Sequence, residues 1–284
     1  MNVLAIGTRF HLGNASNPPS EKDLKKKVSS FVNTLSKAKE SGTFTEIKAA
    51  IAVESSQKFD SFDFPAEVDR ILSYTLQECD VNVEILPVSP WGNFLPALNS
   101  LLLWSAKSSP TADQIMFVSA EMSVPGPESF RILRDQIKDD TLVVGAALPG
   151  HNFTFANSCS QKTVELTGRT TPWNTMAIWN VSKLSTTGFP MVGEGVHVES
   201  DKKTFIAGGV EEVSAIALIQ NFMKDNAVAK LINIPGITWE QSFEDDERRA
   251  WHQRKMESKE SRPARHLSIL GLSGTVLHIS DCNI

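Results

Sequence analysis

Four glutamates sit where the chain changes character. Glu121 follows the apolar run Ile115 to Val118, after Ser119 and Ala120, and Glu54 closes "IKAAIAVE". Glu211 and Glu212 follow a glycine pair and open a stretch whose apolar residues recur at helical spacing. A carboxylate at the tip of a buried strand is rigidly placed among loops, so it can hold a hard cation with little reorganisation. Acidic residues in the first turn of a helix have a plainer use, because each complements the helix dipole by about 0.3–1 kcal/mol. Late in the chain comes a basic run: Arg248, Arg249, Arg254, Lys255, Lys259, Arg262, Arg265 and His266. Guanidinium forks suit diphosphate oxygens bidentately. The pairs Glu244 with Arg248 and Asp245 with Arg249, at i,i+4, equally describe a solvated helix.

The elements that must position these residues alternate in type. Short β-rich runs, "VLAIG", "IKAAIAVE", "VNVEILPV", "QIMFVSA" and "TLVVGAAL", are separated by helical stretches near Ser20–Lys39, Pro65–Cys79, Phe94–Ala106 and Pro127–Lys138. Nearly continuous apolar strands joined by helices predict an α/β fold, a doubly wound, mostly parallel sheet in a single domain. In such sheets ligands bind outside the carboxyl ends of the strands. That places Thr8–Phe10, Glu54–Ser56, Pro90–Asn93 and Ser119–Met122 at the expected crevice. After Pro149 the alternation weakens into a polar stretch, then "TPWNTMAIWN", an alternating strand, then the turn-rich "GFPMVGEG", the Glu211 helix and the strand "AKLINI".

Bulk properties narrow the class. A chain of 284 residues with 41% hydrophobic residues can bury a substantial core. Its net charge of −5, with both signs interspersed, gives no basic footprint for nucleic acid. Cys79, Cys159 and Cys282 show no CxxC spacing, which argues against a disulfide framework or a structural zinc. The start "MNVLAIGTRF" lacks a basic leader region, and no stretch approaches the roughly 18 apolar residues of a membrane span. A cytoplasmic protein without a membrane span is expected.

Four segments, in order, give the chain a resemblance to the glycosyltransferase A fold, and within it to the family 2 nucleotide-sugar transferases. They are "AVESS" with Glu54, "WGNFLPALNSLLLWSA" with Gly92, Ala97 and Asn99, "MFVSAEM" with Ser119 and Glu121, and "PWNTMAIWNVSKLSTTGFP" followed by "GGVEE". The resemblance covers about residues 1–235, a donor half over about 1–125 and an acceptor half over about 126–235. It leaves 236–284 as a charged C-terminal segment, a possible lid.

The resemblance implies transfer of a sugar from a nucleoside diphosphate sugar to a hydroxyl acceptor, with inversion favoured. It implies donor contacts from Thr8, Arg9, Phe10, Glu54, Asn99, Ser119 and Ala120, and from Arg262 and Arg265 of the late basic run. Trp91, Trp173 and Asn174 are the implied acceptor side, the tryptophans offering flat faces to a sugar. Glu211 or Glu212 is the implied base, with Glu211 preferred because it keeps the family's residue type. The family's metal signature is altered: Ser119 stands for its first aspartate and Glu121 for its second. A divalent metal, manganese or magnesium, would then rest on Glu121 with His266 or another late ligand; otherwise cationic side chains hold the diphosphate, or catalysis is lost. Two alternatives follow. One is a sugar-phosphate nucleotidyltransferase, of whose glycine-rich loop "GTRFHLGN" is a thin version; the other is a nucleotide-binding or interaction protein of the same fold. "GLSGT" lacks the G-x-S-x-G frame of a hydrolase, and "IGTRFHLGN" is not a GxGxxG loop.

Overall fold

A computed structural model of the chain describes residues 2–12, 17–55, 59, 62–76, 80–153, 161–200, 203–208, 210–239, 250, 253 and 256–280. The three cysteines, Ser56, and Arg248, Arg249, Arg254 and Lys255 lie outside them. The strands are β1 (Val3–Phe10), β2 (Glu46–Glu54), β3 (Val83–Val88), β4 (Gln114–Val118), β5 (Met122–Ser123), β6 (Thr141–Ala146), β7 (Gln161–Glu165), β8 (Met176–Asn180), β9 (Gly195–Ser200), β10 (Lys203–Gly208), β11 (Val228–Ile232), β12 (Thr238–Trp239) and β13 (Thr275–Ile279). The helices are α1 (Glu21–Glu40), α2 (Phe64–Thr75), α3 (Leu95–Lys107), α4 (Glu128–Asp135), α5 (Val181–Leu184), α6 (Glu211–Met223) and α7 (Ser261–Leu270).

Among the described residues, nine strands form one sheet in the order β3-β2-β1-β4-β8-β6-β11-β13-β7. All run in one direction except β8 and the edge strand β7. Adjacent residues of β1 serve opposite faces. Leu4 and Ile6 pack with α1, α2 and α4, while Val3 and Ala5 pack with α3, α5 and α6. Burial on both faces is why the strands read as unbroken apolar runs. Local chemistry sets the helix starts: Ser20 accepts from the Asp23 amide, and Asp63 accepts from the Ala66 amide ahead of Pro65.

Described residues after 235 join the main sheet. Their last strand, β13, pairs in parallel with β11 inside the sheet, and β7 pairs antiparallel with β13 to form the edge. Between them, α7 packs against α6. The strand expected over "TPWNTMAIWN" is shorter, Met176–Asn180, and it is buried throughout its core positions because helices cover both its faces. No helix among the described residues is long and apolar enough to cross a membrane.

Candidate functional site

The site lies at the carboxyl edge of the sheet. β8 runs against its neighbours, with Met176 opposite Val118, so Trp173 and Asn174 just before it come to the same edge as the ends of β1, β2 and β4. α6 also begins there. Its first turn lacks a side-chain cap, and Glu211 and Glu212 occupy it as acidic residues instead.

Asn174 holds both glutamates. Its backbone N–H donates to Glu212 Oε1 at 2.6 Å and its side-chain amide to Glu211 Oε1 at 3.4 Å, while its Oδ1 accepts from Trp179 Nε1 at 2.9 Å. Glu212 is 4% exposed. Burial, and then the neighbouring Glu211 charge, push its carboxyl up to about 7, with Lys259 and the hydrogen bond from Asn174 opposing. Glu211 is the more open of the two and stands 4.0 Å from the Arg9 guanidinium at the end of β1. Arg9 Nη1 is buried with no hydrogen-bond partner, and its guanidinium lies 5.9 Å from the centre of the Phe94 ring. From α7, Arg262 adds a second cation; burial lowers its pKa, and the charges of Glu211 and Glu212 raise it. Two carboxylates and two guanidiniums therefore meet at the edge of the sheet, in a setting that strengthens charge effects.

A second group surrounds His11. Glu54 Oε2 accepts from the Leu12 amide at 2.7 Å, and the charges of Glu54 and Glu121 both act on the His11 ring. Surrounding protein, then Lys27 and Arg9, pull its pKa below the ordinary value, and water at its exposed edge softens that shift. Trp91 stands over His11, with ring centres 6.1 Å apart and planes at 30°. The charges of Glu54, Glu121 and Arg9 thus all act on His11, and Arg9 stands beside Glu211.

The donor set at the tip of β4 fits a divalent cation poorly. The Ser119 hydroxyl donates to Glu121 Oε2 at 2.9 Å, so it supplies a proton to that carboxylate rather than a second negative charge. Among the described residues no group of three or more His, Cys, Asp or Glu side chains is arranged to hold a metal ion. His266 is fully buried, with both ring nitrogens lacking a partner. Burial and the Arg262 charge lower its pKa; the charge of Glu121 acts on His11 instead.

Several expected contacts have other employment. Phe10 is 2% exposed and belongs to the core, because its side chain points to the face covered by α1. Thr8 is buried within β1, its hydroxyl unpartnered. Asn99 uses its whole amide on one backbone residue, accepting from Phe189 N at 2.9 Å and donating to Phe189 O at 3.0 Å. Ala120 packs against the core. Trp173 is 1% exposed, stacked on His151 at 3.6 Å and covered by the Lys259 ammonium 3.4 Å from its ring centre, so it is not an open acceptor platform. Arg265 is exposed, whereas Arg262 and His266, four residues apart, share the inward face of α7.

Sequence reasoning missed His11 and Lys27, which gather only in three dimensions. It also missed Glu194, in a turn that reads as mere punctuation. The signal for His11 was its place directly after the Thr8–Phe10 strand end.

No family model matches the chain, and no curated protein matches it. Ten solved chains do. One, a crystal structure of a mycobacterial protein, superposes with a TM-score of 0.52 at 11% identity, over 99% of this chain and 85% of that one. The likeness concerns the fold. The chain is a mixed α/β protein with a large, mostly parallel, Rossmann-like central sheet.

Proposed function

We propose that the protein is a glycosyltransferase of the glycosyltransferase A type, moving a sugar from a nucleoside diphosphate sugar to a hydroxyl acceptor with inversion. The observation that carries the reading is the pairing of Glu211 with Arg9 beside Glu212, all held through Asn174 at the carboxyl edge of the sheet. Glu211 takes the acceptor hydroxyl's proton as that oxygen bonds to the anomeric carbon and the bond to the diphosphate oxygen breaks. Arg9 and Arg262 face the charge that develops on the leaving diphosphate. Glu212, protonated up to about neutral pH, shapes the field around the base. No step runs through a metal, because the Ser119–Glu121 tip suits one poorly.

A panel of nucleotide sugars tests this, with release of nucleoside diphosphate measured with and without manganese. The wild type is expected to release it, and Glu211→Gln to lose about 100-fold or more in kcat with little change in KM. Undiminished release by the variant removes Glu211 from the base role.

One observation favours a second reading, a nucleotide-binding protein of the same fold without transfer chemistry. It is the Ser119 hydroxyl bound to Glu121, which closes the tip of β4 on itself. Nucleotide binding without turnover on any donor or acceptor supports that reading.

A further inference from the structure

Glu194 lies outside the glutamate cluster, at the end of a turn that packs against α6. Its carboxylate accepts from the amides of Asn93 at 2.9 Å, Phe94 at 3.2 Å and Leu95 at 3.0 Å, at the start of α3. In return Asn93 Nδ2 donates to the Glu194 carbonyl at 3.1 Å. α3 has no cap of its own, since Phe94 offers no side-chain acceptor. An anion there satisfies orphan amides and meets the positive end of the helix dipole. The chain makes room for it: Gly92 has φ +62°, and a Cβ at that position would stand 2.6 Å from Glu194 Oε1. The other side of the same turn presses on α6. A Cβ on Gly193 would stand 3.1 Å from both Glu211 Cα and Ser214 Oγ. The four-residue turn Met191–Glu194 is therefore held between the start of α3 and the first turn of α6.

We propose that Glu194 is a positioning residue: by tying the 191–194 turn to α3 it fixes where the first turn of α6 sits, and with it Glu211 and Glu212. Its kinetic consequence rests on the transferase reading above, and its structural consequence does not. Glu194→Gln keeps the size of the side chain but replaces one acceptor oxygen with a donor that faces an amide donor. Glu194→Asp keeps the charge and shortens the reach, so the seat on α3 is kept only if the turn moves off α6.

Both variants are compared with the wild type by hydrogen exchange at the amides of Val213 to Ala217, and by kcat, KM and the pH profile on a nucleotide sugar that the wild type turns over. Exchange is expected to rise roughly tenfold in α6 and to stay unchanged in α1. Turnover should fall roughly tenfold with KM within about twofold, and the kcat pH profile should shift, because water reaching Glu212 changes the charge beside the base Glu211. The aspartate variant serves if the glutamine variant does not fold. Unchanged exchange in α6 overturns the proposal, as does faster exchange with kcat and its pH profile unmoved. Should the wild type turn over no nucleotide sugar, the transferase reading fails, and exchange alone decides on Glu194.

Discussion

At the scale of single residues, burial alters two ionisable groups, Glu212 and His151, in opposite directions. Glu212 is buried where its charged form is poorly solvated, so the folded state binds a proton that the unfolded chain has released. Stability from this group is present below the ordinary carboxylate pKa of 4.5 and is lost as pH rises toward about 7. Glu212→Gln should therefore be more stable than the wild type at pH 8, by roughly 3 kcal/mol, with the gap closing near pH 4.5. Thermal melts of both proteins across that range check it; a gap that stays constant with pH contradicts it. His151 acts in the opposite direction. Its Nδ1 accepts from the Leu148 amide at 2.8 Å and its Nε2 faces the Thr171 carbonyl at 2.9 Å, a pattern that suits the neutral ring. Burial, then Lys259, hold its pKa down to about 3, so its contribution is lost on acidification, and the comparison with the Gln variant separates the two groups. The four glutamates were legible as residues because each stands at an element's end. Asn174, Arg9 and Arg262 were legible too, but as contacts for an acceptor and a donor; their pairing with Glu211 and Glu212 was not, because it joins β1, α7 and the residues before the reversed strand β8.

At the scale of elements, the alternating strands and helices of the first 150 residues could be read because apolar runs and capping residues are local signals. Ser20 and Asp63 cap the first two of these helices. The strands β7 and β13 were harder: β7 is a mostly exposed edge strand of "QKTVE", and β13 is a five-residue run after a basic helix. Their pairing is a property of the sheet, not of the segment. The docking of the late segment is equally non-local. Arg169 donates to the Gly150 and Met256 carbonyls, at 2.8 and 2.6 Å, and the chain at Lys259 crosses directly over Gly168. A Cβ on Gly168 would lie 1.7 Å from the Lys259 carbonyl oxygen, so backbone must move to admit one. Gly168→Ala is expected to cost about 1–3 kcal/mol and to raise proteolysis within 256–266 before the rest of the chain. Cleavage rates equal to those of the wild type contradict this docking.

At the scale of the whole molecule, one sheet gathers residues from both ends of the chain: Arg9 comes from β1, the glutamates from α6, and Arg262 from the helix just before β13. The likeness to a solved structure at 11% identity follows from that architecture, which many different sequences satisfy. Its chemistry must therefore be tested at the site. The most direct measurement is thermal stability against a panel of nucleoside mono-, di- and triphosphates, each at a concentration well above a micromolar Kd. At least one nucleoside diphosphate is expected to stabilise the wild type by about 2.7 kcal/mol at 100 times its Kd, and Arg9→Leu to lose most of this gain. A panel in which no nucleoside diphosphate raises the melting temperature, or in which only triphosphates do, contradicts it.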